Sequence, residues 1–298
     1  MKSKFTKKAI FISSLPCLIL CTIFIVFNIL PQQEVYSNTN KNSSTNTDTQ
    51  ETLTETTLLE RITIYLDENE ILEQQISIAI YDPSTQQSYQ LYANEDMFSA
   101  SLYKVPLAML YYEYIEEGTI SLEDTLLYSE DCYEEGGPIA STYGIGSYIG
   151  IEELLYDMIV YSDNTAAHIL FEHLGGWTTY RTLIEKYSTQ TFNASFYEEN
   201  VFPASYATDV LQYLYQHAST YTALIQHMKL VYPQDYLGKN LDVQIAQKYV
   251  SYESYENAMG IVYGEHPYLI TIMTSLGNEA TRVIGEINEI AYNFFHEM

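Results

Sequence analysis

Ser101-Leu102-Tyr103-Lys104 sets a hydroxyl and an amine three residues apart, and Ser162-Asp163-Asn164 begins sixty-one residues after Ser101. On a helix the first pair shares a face, so a neutral Lys104 can take the proton of Ser101 as its oxygen attacks a carbonyl. Ser162 offers a second hydroxyl to pass a proton to a leaving nitrogen, and Asn164 an amide to orient both Lys104 and a substrate. This is the equipment of acyl transfer through a covalent serine intermediate. The chain holds only 10 Lys and 3 Arg among 298 residues, so a lysine in this frame carries information. Taken singly, each motif also reads as ordinary helix architecture, Ser101 as a helix start and Ser162-Asp163-Asn164 as a cap.

The surrounding sequence supplies elements to hold these groups. Val105 to Tyr112 is rich in helix formers, and Pro106 is tolerated in a first turn, so Ser101 falls at a helix start where free N–H groups favour developing negative charge. Apolar residues at helical spacing predict an opening helix over 58–72. Alternation toward Ile76, Ile78 and Ile80, a turn at Asp82-Pro83-Ser84, and a resumed extended pattern over 88–93 predict a hairpin. Helices are expected over about 101–187 and 204–227, strands over 244–249, 257–263 and 268–274, and a closing helix over 278–295. The order implies an α+β fold: an antiparallel five-stranded sheet covered by the N- and C-terminal helices, an all-helical lobe, and a cleft between them.

The stretch 98–177 resembles class A serine β-lactamases and their penicillin-binding relatives. The likeness rests on Ser101 to Lys104, Gly118-Thr119-Ile120-Ser121-Leu122, Gly136-Gly137-Pro138-Ile139, Ser162 to Ala167 and Leu174-Gly175-Gly176, and extends more weakly over 58–296. The resemblance implies an α/β/α sandwich beside an all-helical lobe, with Ser101, Lys104 and Ser162 catalytic. It also implies a third motif, Lys then Ser or Thr then Gly, on a strand lining the cleft. Lys248-Tyr249-Val250-Ser251 occupies that place, with Lys248 as anchor for a substrate carboxylate and as the charge that keeps Lys104 a base. Asn164, Tyr249 and Ser251 are the implied substrate-binding residues, and the N–H groups of Ser251 and Ser101 the implied oxyanion hole. Tyr249 replaces the short hydroxyl, and Val250, pointing to the same side as Lys248, narrows the cleft. The family's deacylating Glu motif is missing. Counting forward from Ser162 reaches Glu198, beside Glu199, whereas counting back from Pro203 reaches no acid, so Glu198 is the candidate water base and a solvated acidic turn the alternative.

Three functions stay open on this reading: a β-lactam hydrolase acylated at Ser101, a slow penicillin-binding protein or peptidoglycan peptidase, and a non-catalytic cell-surface interaction module. The net charge of −26 excludes nucleic-acid binding, which needs clustered cations. The six histidines, His168 and His173 among them, form no ligand-spaced set, and Cys132 is the one thiol after Cys21, so neither metal, cofactor nor internal disulfide is expected. Residues 9–30 carry no charge after four lysines, which predicts a transmembrane signal-anchor with a cytoplasmic stub over 1–30 and the body outside. The alternative is secretion after signal cleavage. Residues 31–57, rich in Asn, Thr, Ser and Gln, read as a disordered polar tether, and 58–298 as the hydrolase domain.

Overall fold

A computed structural model describes residues 57–297. The expected anchor, and all of the expected tether but Thr57, lie outside the described residues; among those described, no helix is long and apolar enough to cross a membrane. Thr57 belongs to the folded body. Its Oγ1 accepts the Glu60 N–H while the Glu60 carboxylate accepts the Thr57 N–H, a reciprocal cap that starts α1 (Leu58–Glu68). Leu58, Ile62 and Leu66 bury one face of this helix. It ends at Glu68, four residues short of the predicted end, capped by Asn69 and followed by Glu70 with a positive φ of 55°.

The hairpin β1 (Ile76–Asp82) and β2 (Gln87–Leu91) turns on Asp82, whose carboxylate accepts from the Ser84 N–H and the Ser84 and Thr85 hydroxyls. Next come β3 (Met97–Phe98), α2 (Lys104–Glu116), β4 (Thr125–Leu127), α3 (Ile139–Thr142), β5 (Tyr148–Gly150), α4 (Ile151–Val160), α5 (Asn164–His173), α6 (Trp177–Leu183), α7 (Ala194–Glu198), β6 (Val201–Phe202), α8 (Ala204–Gln216) and α9 (Thr222–Lys229). The chain closes with β7 (Ile245–Tyr252), β8 (Tyr255–Val262), β9 (Tyr268–Thr274) and α10 (Ala280–Glu297). The main sheet has the order β2-β1-β9-β8-β7, antiparallel throughout. The predicted five-stranded sheet and flanking helices are therefore present. The predicted helical run 101–187 is interrupted by the β4–β5 ribbon, and a second ribbon pairs β3 with β6.

Strand alternation divides the core in two. From β9, Ile270 and Ile272 pack toward α1 and α10, whereas Leu269 and Met273 pack toward the helical lobe, so the whole strand is buried. On β7, Ile245 and Tyr249 face α10, and Ala246 and Val250 face the lobe. Helix α2 is buried from Lys104 through Tyr112 without a polar stripe, as befits a helix wrapped by the lobe on every side.

β7 is one of the two edge strands of this sheet, and the turn carrying Ser101 packs against it. Asn257, fully buried on neighbouring β8, sets that register: its Nδ2 donates to Phe98 O (2.9 Å) while its Oδ1 accepts from Thr274 N (2.9 Å). Replacing it leaves a half-buried carbonyl and a buried N–H without this partner. Asn257→Ala should cost about 2–3 kcal/mol in urea unfolding, and should slow acylation at Ser101 by loosening the segment ahead of it.

Candidate active site

Ser101 sits in a 3₁₀ turn (Ala100–Tyr103) that runs directly into α2. In a 3₁₀ turn residues i and i+3 eclipse, which stacks Lys104 behind Ser101 more directly than an α-helical turn does. The turn is entered through Ala100 at φ 47°, a left-handed conformation that costs a residue with a Cβ energy. Two asparagines hold it there. Asn200 donates from Nδ2 to Ala100 O (3.0 Å), accepts the Ser99 hydroxyl on Oδ1 and accepts Ser99 N on its own carbonyl (2.9 Å), and Asn257 holds Phe98.

The second wall comes from the α4–α5 turn. Ser162 takes a left-handed φ of 57°, and Asp163 caps α5 by accepting Ala166 N (2.7 Å) while also accepting Ile139 N (2.7 Å). Burial nevertheless raises the Asp163 pKa, and burial followed by the charges of Asp163 and Glu153 pushes Asp157 up to about 6. Gly137 completes the turn at φ 118°; a Cβ there would lie 2.2 Å from Asp163 Oδ2. Asn164 donates from Nδ2 to Glu135 O (2.7 Å), which turns its Oδ1 toward Lys104.

Lys104 joins the two walls. Its Nζ donates to Ser162 O (2.6 Å) and Asn164 Oδ1 (2.6 Å), and lies 3.3 Å from Ser162 Oγ. It is fully buried, and its pKa is held well below 10.5, first by desolvation and then by the charge of Lys248. A neutral amine has two N–H bonds, which the two short contacts satisfy, and one lone pair. It can accept a proton. Lys248, on β7, is also buried (1 % exposed); its Nζ donates to Tyr249 O (3.0 Å), and desolvation lowers its pKa to about 7.

The two lysines lie beneath a cleft of about 500 Å³ that Ser101 borders, lined on the lobe side by Ser162, Asn164 and Glu134 and on the strand side by the β7 residues 249–252. Ser101, Lys104, Ser162, Asn164 and Lys248 are thus brought together. The Tyr249 ring turns to the far face of the sheet, where it stacks on Tyr236 at 4.3 Å, so only its strand position borders the cleft. Ser251 borders it too, its hydroxyl donating to Glu256 Oε1 (3.3 Å). Glu198 is exposed at the end of α7 and is absent from the lining; Asn200 stands there instead. The loop carrying Asn200 is framed by fully buried Arg181, which donates to Phe196 O and Val201 O and lies 4.0 Å from the Phe196 ring centroid.

The profile of the β-lactamase enzyme family matches residues 58–295. The chain belongs to that family. Among solved structures, PBP-A shares the fold at 16% identity, covering 81% of this chain and 96% of PBP-A, with a TM-score of 0.71. A reconstructed ancestral class A β-lactamase shares it at 17% identity, covering 80% of this chain and all (100%) of its own, with a TM-score of 0.70. The β-lactamase of Sphaerobacter thermophilus does so at 18% identity, covering 75% and 92%, with a TM-score of 0.66. Comparison with curated proteins gave no match.

Within this β-lactamase fold, sequence reasoning passed over Asn200, Asn257 and Glu134. Asn200 does have a signal, since it stands three residues before Pro203, where the backward count finds no acid. The buried lysines carry a pH signature. The unfolded chain binds a proton on Lys248 up to about pH 10.4, the folded one only below about 7, so ionising this side chain lowers stability as pH falls through that window. Lys248→Met should therefore stabilise the fold, and its gain in chemical denaturation should be larger at pH 6 than at pH 9 by on the order of 2 kcal/mol.

Proposed function

We propose that the protein is a serine acyl-transfer enzyme of the β-lactamase and penicillin-binding kind, acylated by β-lactams at Ser101 and slow to release the acyl group. The observation that carries the reading is the Lys104 amine, sealed from water, depressed in pKa and fixed by Ser162 and Asn164 one 3₁₀ turn from Ser101. Neutral Lys104 takes the hydroxyl proton as Ser101 Oγ bonds to the carbonyl carbon. The N–H groups of Ser101 and Ser251 receive the oxyanion. The C–N bond then breaks, the electron pair leaving with nitrogen, and Ser162 relays the proton from Lys104 to it. Support also comes from PBP-A, a mutant of which is known as its acyl-enzyme with penicillin G.

Slow release is favoured by the position of Glu198, the candidate water base. Glu198 points to solvent, and the residue that the 199–201 loop offers to the cleft is an amide, committed to Ser99 and Ala100. An amide cannot take a proton from water. We further propose that residues 9–30 anchor the chain, holding this body on the extracytoplasmic side, where such acyl donors occur.

Intact mass spectrometry of the protein mixed with penicillin, followed after removal of excess drug, tests the reading. A covalent adduct that is lost in Ser101→Ala and persists for minutes is expected; loss of the adduct within seconds would establish efficient hydrolysis, and no adduct at millimolar drug would end the β-lactam reading. Lys104→Ala should slow acylation roughly 10²–10⁴-fold. In the unaltered protein the acylation rate should rise with pH as Lys104 loses its proton, and reach its plateau well below pH 10.5.

A further inference from the structure

Glu134 is the one charged side chain among the described residues lining the cleft. The two lysines of the site are sealed beneath the surface, at 0 % and 1 % exposure, with their Nζ groups donating inward to Ser162, Asn164 and Tyr249. An incoming substrate therefore meets a carboxylate and no accessible ammonium or guanidinium. Glu134 is also held in place. Its backbone exchanges hydrogen bonds with Thr165, accepting the hydroxyl (2.8 Å) and donating N–H to Oγ1 (3.1 Å), and its Oε1 meets His168 Nδ1 at 2.7 Å. Both partners lie on α5, in the turns that follow Asn164, so the carboxylate is fixed to the same helix that carries the amide beside Lys104. The side chain remains 44 % exposed, which leaves it free to meet a ligand. Two tyrosines flank the same cleft with open rings, Tyr161 at 58 % and Tyr252 at 55 % exposure. A carboxylate and aromatic faces lining one cleft both attract a cation, the first by charge and the second by the ring quadrupole. The surrounding body, with its excess of acids, adds long-range attraction of the same sign.

We infer that the cleft selects acyl donors carrying an ammonium group, recognised by Glu134 with Tyr161 and Tyr252. The inference rests on the acyl-transfer reading, since it names the donors of that same site. The covalent step is unchanged: the Ser101 oxygen bonds to the carbonyl carbon, the bond to the leaving nitrogen breaks, and the serine proton reaches that nitrogen by way of Lys104 and Ser162.

The experiment measures second-order acylation rates of the full chain by penicillins that share one ring system. Benzylpenicillin is compared with its analogue bearing an amino group on the acyl arm, and the neutral methyl ester with an aminoethyl amide at the carboxyl position. At least one ammonium-bearing donor should react about tenfold faster than its counterpart without the ammonium, equivalent to about 1.4 kcal/mol. The preference should shrink as salt is raised, and Glu134→Gln should bring the ratio within each pair close to one. Equal rates within both pairs, or a preference that survives Glu134→Gln, overturn the inference while leaving Ser101 acylation intact. If Glu134→Gln keeps the preference and instead prolongs the adduct, Glu134 activates water and the recognition role is wrong. A protein that forms no Ser101-dependent adduct with any of the four fails earlier, at the acyl-transfer reading, and takes this inference with it.

Discussion

Everything in the site hangs on a primary amine held in the dry. Lys104 is the piece where the helical lobe and the Ser101 turn meet: it is the first residue of α2, and its Nζ is tied to the α4–α5 turn through Ser162 O and Asn164 Oδ1. A charged ammonium at full burial is costly, and a second buried lysine nearby raises that cost, so the fold itself drives the amine toward its neutral, proton-accepting form. The strain stored around it is consistent with this. Ala100 and Ser162, on either side of the amine, both occupy left-handed backbone without being glycine, and each is held by hydrogen bonds or packing from another element.

The sheet and the lobe serve that arrangement by fixing two walls independently. Asn257 and Asn200 hold the nucleophile's approach, one from β8 and one from the loop before β6. Asp163 and Gly137 hold the opposing turn, the glycine because no side chain fits against that aspartate. The rim is joined to both walls: Tyr252 packs on Phe98 at 5.4 Å between ring centroids, and the Glu134 backbone is bonded to Thr165 on α5.

How much of this was readable from the sequence follows from the distance over which each residue acts. Ser101 with Lys104, and Ser162 with Asn164, are local patterns, and their helical context is written in the neighbouring apolar residues. The strand 268–274 and the closing helix carry strong periodicity and appear where expected, because covered faces need continuous apolar residues. The ribbons β3–β6 and β4–β5 are two and three residues per strand, too short for any period to register. Asn200 and Asn257 act across 100 and 159 residues of chain, so their roles exist only once the fold brings the partners together. Tyr249 was legible as a departure from the family's third motif, but the choice of face for its ring depends on Tyr236, a partner that local sequence does not announce.

Arg181 shows what this family member does at a place where an ion pair would be the simpler solution. Its guanidinium is stacked among Phe196, Trp177 and Phe202 and donates to two backbone carbonyls, Phe196 O and Val201 O, rather than to a carboxylate. Carbonyls and aromatic rings do not titrate, and a guanidinium does not lose its proton in the working range. The docking of the loop that carries Asn200 is thereby uncoupled from acidity: protonation can silence the amine of Lys104 while the architecture over the cleft stays closed around it.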